Sequence, residues 1–208
     1  MRKFKGIHCK PNLPLSNILK KWVSLNTKIA NTWKHRNDVP WWYNERADIS
    51  IFAGAAWLSH SLVFEEFVDE KTKKHNGAQK ERRKFRGRVD LYLDIDGQDF
   101  IIEAKHCWSG ASSVNVDTAK KIQRVMNQAY ADIRKSHPHG QRRLAFVFVV
   151  PDIKVAYQKT MDQRIRAWIN KIEKIDCDAM AWIFPVESRK IKWRKSYYPG
   201  VALLVKEV

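Results

Sequence analysis

The sequence predicts an α/β protein, a mixed central sheet flanked by helices with additions at both ends. Three observations carry this. Segments whose apolar residues recur every three or four positions alternate with short β-rich runs. The stretch "GRVDLYLDIDGQDFIIEAKHCW" (87–108) reads as strand, tight turn and strand. Finally, "LAFVFVV" (144–150) is an unbroken apolar run, as expected of a central strand covered on both faces. A chain of 208 residues is long enough for one well-cored domain. Its expected parts are a helical extension (1–38), a core (40–150) and a C-terminal helix with strands (151–208). Nine Trp, six Tyr and nine Phe in a chain that is 44% apolar exclude a disordered tail.

Taken in order, Ile18, Trp22, Leu25, Ile29 and Trp33 form a helical stripe over 15–35, with Ser16 as N-cap. A second helix is expected to start at Pro40, whose fixed φ suits a first turn, and to run through "WWYNERADISIFAGAAWLS". "LVFEEFV" (62–68) is a strand, and "DEKTKKHNGAQKERRKFRGR" after it reads as a basic loop or long turn. The 87–108 hairpin follows. Ile122, Met126, Ala129 and Ile133 mark a helix that ends near Pro138 and Gly140. Ile165, Trp168, Ile169 and Ile172 mark another, and "AMAWIFPV" (179–186) and "GVALLVKEV" (200–208) close the chain as strands.

The charge balance narrows the partner. The chain has 39 Lys+Arg against 22 Asp+Glu, a formal net charge of +17. Such a field favours polyanions, nucleic acid before anionic membrane. Cys9, Cys107 and Cys177 are far apart and lack CxxC spacing, which fits reduced thiols in a cytoplasmic protein. His8, His106, His137 and His139 have no zinc spacing and read as ordinary side chains. The opening "MRKFKGIHCKPN" lacks the apolar core of a secretory leader, and no run approaches about 18 apolar residues, so no membrane span is expected.

The hairpin holds the anomaly. Asp96-Gly97 suits a two-residue type I′ turn, which needs φ > 0 at both positions. The register then sets Leu93 against Phe100, Leu91 against Ile102 and Val89 against Ala104 on an apolar face. On the other face Tyr92 meets Ile101, Asp90 meets Glu103 and Arg88 meets Lys105. Two carboxylates about 5 Å apart at Cβ repel each other, so something positive must sit between or beside them, or one carboxyl must stay protonated. A divalent cation would serve, since Mg²⁺ is held by one or two carboxylates with water and phosphate completing its shell. A diagonal checkerboard of Lys105 with Asp90 and Arg88 with Glu103 would serve as well. Glu45 heads the stripe of Ile49, Phe52, Ala53 and Ala56, so it should point toward the sheet. Lys73, Lys74, Arg82, Arg83, Lys84, Arg86 and Arg88 approach these acids, as would suit a polyphosphate lying across the site.

An Asp on one strand followed by Glu-x-Lys on its hairpin partner resembles the PD-(D/E)xK nuclease superfamily, the restriction-endonuclease-like fold. The matching residues are Asp90, Glu103 and Lys105 within "RVD" and "IIEAK", and Glu45 looks like the carboxylate many members carry on the first core helix. Val89 stands where the family name has Pro, and the literal Pro151-Asp152 has no acidic-x-Lys strand after it. The resemblance implies a metal-dependent DNA endonuclease. In it Asp90, Glu103, the carbonyl of Ala104 and Glu45 would hold one or two Mg²⁺ ions, with Mn²⁺ as a substitute. Lys105 would orient water and neutralise phosphate charge. Lys120, Lys121, Arg124 and Gln128, on the following helix, would contact the DNA backbone, as would the basic approach. The alternatives are RNA as substrate, a nucleic-acid-binding module without catalysis, and a nuclease subunit of a restriction, transposition or phage-defence complex. A homodimer is compatible with each.

Overall fold

A computed structural model describes residues 4–74, 82–111, 117–136 and 140–208, with the backbone alone over 69–74, 82–86 and at 117. In chain order the elements are β1 (Lys5–Cys9), α1 (Ser16–Trp33), α2 (Glu45–Trp57), β2 (Leu62–Lys74), β3 (Arg82–Ile95) and β4 (Gln98–Gly110). There follow α3 (Asp117–Ile133), β5 (Arg142–Lys154), α4 (Met161–Ile172), β6 (Ala179–Ile183), β7 (Lys192–Trp193), β8 (Ser196–Tyr197) and β9 (Val201–Glu207). The main sheet runs β1-β6-β9-β5-β4-β3-β2. Only β4 and β5 are parallel, and α3 connects them; every other neighbouring pair is antiparallel. The sheet is therefore mixed and open, with helices on both faces.

Each face has its own apolar core, and β5 feeds both. Leu144, Phe146, Phe148 and Val150 face α1 and α2, while Ala145, Val147 and Val149 face α3 and α4. A strand buried twice has no polar alternation, which is why 144–150 reads as one apolar run. On the first face Phe52 meets Phe146 edge-on at 4.9 Å, and Trp22 lies 6.5 Å from Phe148. α1, placed by the sequence in an N-terminal extension, thus shares a core with α2. Its buried side is Ile18, Leu19, Trp22, Val23, Asn26 and Ala30. Leu25, Ile29 and Trp33 lie at the margin of this face, which takes in Asn26, whose amide donates to Trp22 O at 2.9 Å.

Several boundaries differ from expectation. Ser16 is the first residue of α1, not its cap; Leu15 occupies that position without a side-chain bond. The second helix does not begin at Pro40. Residues Pro40–Trp42 form a single 3-10 turn, and α2 starts at Glu45 after Asn44, whose side chain accepts from Ala47 N at 3.0 Å. Asn44 supplies the cap that Pro40 cannot, and the break lets Trp41 bury itself fully. The segment 69–86 is also not a simple loop. β2 and β3 stay paired out to Lys74 and Arg82, because the ladder begun by Val63 and Leu93 continues through backbone bonds whatever the side chains. Residues 75–81 lie outside the described residues, as do 112–116 and 137–139. β1 and the short β7–β8 ribbon carry no readable apolar period.

The hairpin register agrees with expectation from Ile95↔Gln98 to Leu91↔Ile102, and Asp96 and Gly97 both have positive φ, 51° and 80°. It stops there. The predicted pairing of Val89 with Ala104 on one apolar face does not form: Ala104 packs on the α1–α2 side and Val89 on the α3–α4 side. The neighbouring strand breaks its alternation at the same level. Glu66 takes φ 52°, and Phe64 and Phe67 both touch the Tyr92 ring, at 6.0 and 5.8 Å, although an unbroken strand would send them to opposite faces. Beyond Leu91, β3 stays with β2 while β4 continues along β5.

Candidate functional site

This parting of β3 and β4 makes the site. Past Ile102, the amides of β4 that would have bonded β3 need other acceptors. Asp90 Oδ2 accepts from Ala104 N at 2.7 Å, and Glu45 Oε2 accepts from His106 N at 3.1 Å. Two carboxylates, one from a strand and one from the first turn of α2, thus replace the missing ladder. Asp90 and Glu103 are consequently not a regular cross-strand pair; Asp90 reaches across the fork to the next residue's amide.

Glu103 is nearly buried, 8% exposed. Its Oε1 lies 3.0 Å from Lys105 Nζ, and the same ammonium lies 3.5 Å from Asp132 Oδ2 of α3. Burial alone would depress Lys105. Glu103, Glu45 and Asp90 together outweigh it and raise its pKa, so Lys105 is an ammonium and not a free base. Burial raises Glu45, Asp90 and Glu103 push the same way, and Lys105 and the His106 amide resist. Glu45 and Lys105 therefore each feel the charge of the other three groups. Residues 45, 90, 103 and 105, remote in sequence, share one electrostatic neighbourhood.

The expected checkerboard of ion pairs has a different form. Arg88 is bonded to Glu66 at 3.0 Å, and Arg46 of α2 holds the other oxygen of Glu66 at 2.6 Å. Lys120, Lys121, Arg124 and Gln128 are exposed on α3. Lys121 and Arg124 stand close enough to the Cys107 thiol to oppose the rise that burial causes there, so they overlook β4 two residues beyond Lys105. Lys73, Lys74, Arg82, Arg83, Lys84 and Arg86 lie along the paired arms of β2 and β3, and their side chains lie outside the described residues.

Two groups behind the fork escaped the sequence reading. Asp48, one turn after Glu45, is 3% exposed, and its Oδ2 lies 2.7 Å from His106 Nδ1. Burial pushes Asp48 up to about 6, against the pull of the His106 bond. His106 Nε2 is buried with no hydrogen-bond partner among the described residues. His106 is therefore no ordinary side chain; it ties α2 to β4 beside Lys105. An acid three residues from Glu45 on an apolar stripe was the available signal, since a buried carboxylate demands a partner. Asp132 had none beyond its place beside Ile133. Lys135 holds its other oxygen at 2.5 Å.

The donor set suits a hard cation. It is all oxygen, and Glu45 is raised partly by two neighbouring carboxylates, an excess of negative charge that a divalent ion would relieve. Among the described residues no three His, Cys, Asp or Glu side chains stand in metal-holding geometry. Comparison with protein-family models, with curated proteins and with solved structures returned no match. Among the described residues no helix is long and apolar enough to cross a membrane.

Proposed function

We propose that the chain is a metal-dependent DNA endonuclease built on a restriction-endonuclease-like core. One observation carries the reading: Glu45, Asp90, Glu103 and Lys105 converge where β3 parts from β4. The +17 charge, the exposed Lys120 of α3, and the exposed Lys121 and Arg124 that overlook β4 near Cys107 support a polyanionic substrate.

Asp90, Glu103 and the Ala104 carbonyl would hold Mg²⁺, with Mn²⁺ as a substitute and Glu45 close by. When bound, the ion supplies Lewis acidity at the phosphate and lowers the pKa of a coordinated water. The chain's own groups do the rest. Lys105, fixed between Glu103 and Asp132, keeps its proton and presents positive charge to a non-bridging phosphate oxygen. Its N–H groups also orient the attacking water. Lys121 and Arg124 hold the DNA backbone in register without reading bases. Glu45 and the Asp48–His106 pair keep β4 straight past the fork.

A second reading has a specific observation behind it. Asp90 and Glu45 already satisfy orphaned amides, and Lys105 already neutralises Glu103, so the fork is stable as a nucleic-acid-binding module without chemistry. Nicking of supercoiled plasmid in Mg²⁺ separates the two. The nuclease reading expects nicking that EDTA stops and that Glu103→Gln and Asp90→Asn abolish while DNA binding persists. Absence of nicking by the unmodified protein in both Mg²⁺ and Mn²⁺ refutes it. Matched RNA digested alongside tests the choice of DNA.

A further inference from the structure

Beyond the fork, β4 leads into a chain of aromatic rings that the hydrolytic site does not use. The His106 ring lies 4.7 Å from Trp108, and Trp108 lies 5.2 Å from Tyr198. Tyr198 lies 6.0 Å from Trp42, which lies 6.4 Å from Trp193. Trp108 is 36% exposed and Trp193 48% exposed, although indole rings are among the costliest to leave in water. The contacts are tilted or edge-on, with interplanar angles from 57° to 81°, so no ring is sandwiched by a parallel neighbour.

Side-chain bonds anchor the backbone on which two of the rings sit. Trp41 Nε1 donates to Tyr198 O at 3.1 Å, and Asn37 Nδ2 donates to Lys192 O at 3.3 Å. Trp193 sits at the tip of the β7–β8 ribbon, whose two-residue turn is Arg194-Lys195. Arg194 takes φ 52° there, a position that favours Gly or Asn, so the tip keeps a basic residue at a conformational cost. Its guanidinium lies 4.2 Å from the Trp193 ring centre. Lys192, Arg194 and Lys195 are all exposed, whereas the nearby Asp38 accepts from Tyr43 Oη at 2.8 Å. The surface thus combines flat π-faces with positive charge, the pairing that single-stranded nucleic acid requires. Three residues of strand separate Lys105 from Trp108, about 10 Å at a rise of about 3.3 Å per residue. Their side chains leave opposite faces of β4, Lys105 toward Asp132 of α3 and Trp108 toward His106 and Tyr198, so a DNA strand that reaches both wraps the open edge of the fork.

We propose that Trp108, Tyr198, Trp42 and Trp193 form a stacking platform for the bases of an unpaired DNA strand whose phosphates pass the fork. This rests on the nuclease reading for the fork being the reaction centre, and it narrows the substrate to single-stranded or flap-bearing DNA. In an intact duplex the bases already stack on one another, and their faces cannot reach the rings.

The test is fluorescence anisotropy in EDTA, so that binding is read without cleavage. The probes are a labelled oligothymidylate of about 16 nucleotides, the upper site size of one stacking module, and a duplex of equal length. The platform expects tighter binding of the single strand. It expects Trp193→Ala to weaken that binding about 5- to 150-fold, the range for loss of one stacked base. Trp193→Phe should restore most of it, and duplex binding should be unchanged. Trp57→Ala, an exposed Trp at the end of α2, serves as control and should change nothing. Equal loss for both probes, or no loss, overturns the platform. So does a Trp193→Ala effect confined to oligomeric state in sedimentation, which would make this face a protein interface. The two readings fail separately. A protein that binds single strands through Trp193 but never nicks in Mg²⁺ keeps the platform and loses the nuclease. One that cuts duplex DNA indifferently to Trp193→Ala does the reverse.

Discussion

Replacing Asp48 by Asn tests the buried pair behind the fork. Asp48 is raised from 3.8 to about 6 in the folded protein, so the folded state binds its proton more tightly than the unfolded chain does. Stability from this group is therefore greatest below the unfolded value and falls as pH rises through the window from about 4 to about 6. At about 1.4 kcal/mol per pKa unit the full loss is about 3 kcal/mol, of which about 2 kcal/mol falls between about pH 4 and pH 7. The Asn amide offers a donor or an acceptor to His106 Nδ1 at the same 2.7 Å without a charge to bury. Urea unfolding of both proteins at the two pH values measures the difference. Asp48→Asn should gain about 2 kcal/mol relative to the unmodified chain on going from the lower to the higher pH. Equal pH dependence in the two proteins, or a steeper loss in the variant, refutes the argument that burial dominates this carboxyl.

Two further predictions concern the fork and the sheet. Lys105→Met leaves Glu103 nearly buried without its nearest cation; breaking a fully buried pair costs about 3–5 kcal/mol. Lys105 is itself 26% exposed, so a loss of about 1–3 kcal/mol in urea unfolding at neutral pH is expected, together with loss of nicking. An unchanged midpoint would mean that solvent, not Lys105, carries the Glu103 charge. At Gly200, just before β9, an added Cβ would stand 2.2 Å from Ile183 O and 2.5 Å from the Phe184 ring. Gly200→Ala should therefore lower stability by about 1–3 kcal/mol, read as a fall in the thermal midpoint, and a neutral result would show that β6 and β9 can separate freely.

The groups of the fork were legible because each carries its signal locally. Asp96-Gly97 fixes the turn, the turn fixes which residues oppose, and that placed Asp90 and Glu103 on neighbouring strands. Glu45 was legible because it heads an apolar stripe. What no local pattern contained was the point at which β3 and β4 separate. That depends on β4 having a parallel partner in β5, 142–154, and on β2 holding β3 through the irregularity at Glu66. The Asp48–His106 bond spans 58 residues and needed α2 packed on the sheet to be visible.

Local sequence specified the α/β alternation, the doubly buried strand, the hairpin register from Ile95–Gln98 to Leu91–Ile102 and the basic character of the chain. Periodicity and turn chemistry act over a few residues and survive without a fold. The tertiary structure decided that Asp90 and Glu45 accept from amides of β4 instead of facing Glu103 across a ladder. It also decided that Trp42, Trp108, Tyr198 and Trp193 meet on one surface. Both depend on where strands part and which helices cover them, and those are properties of the packed sheet as a whole.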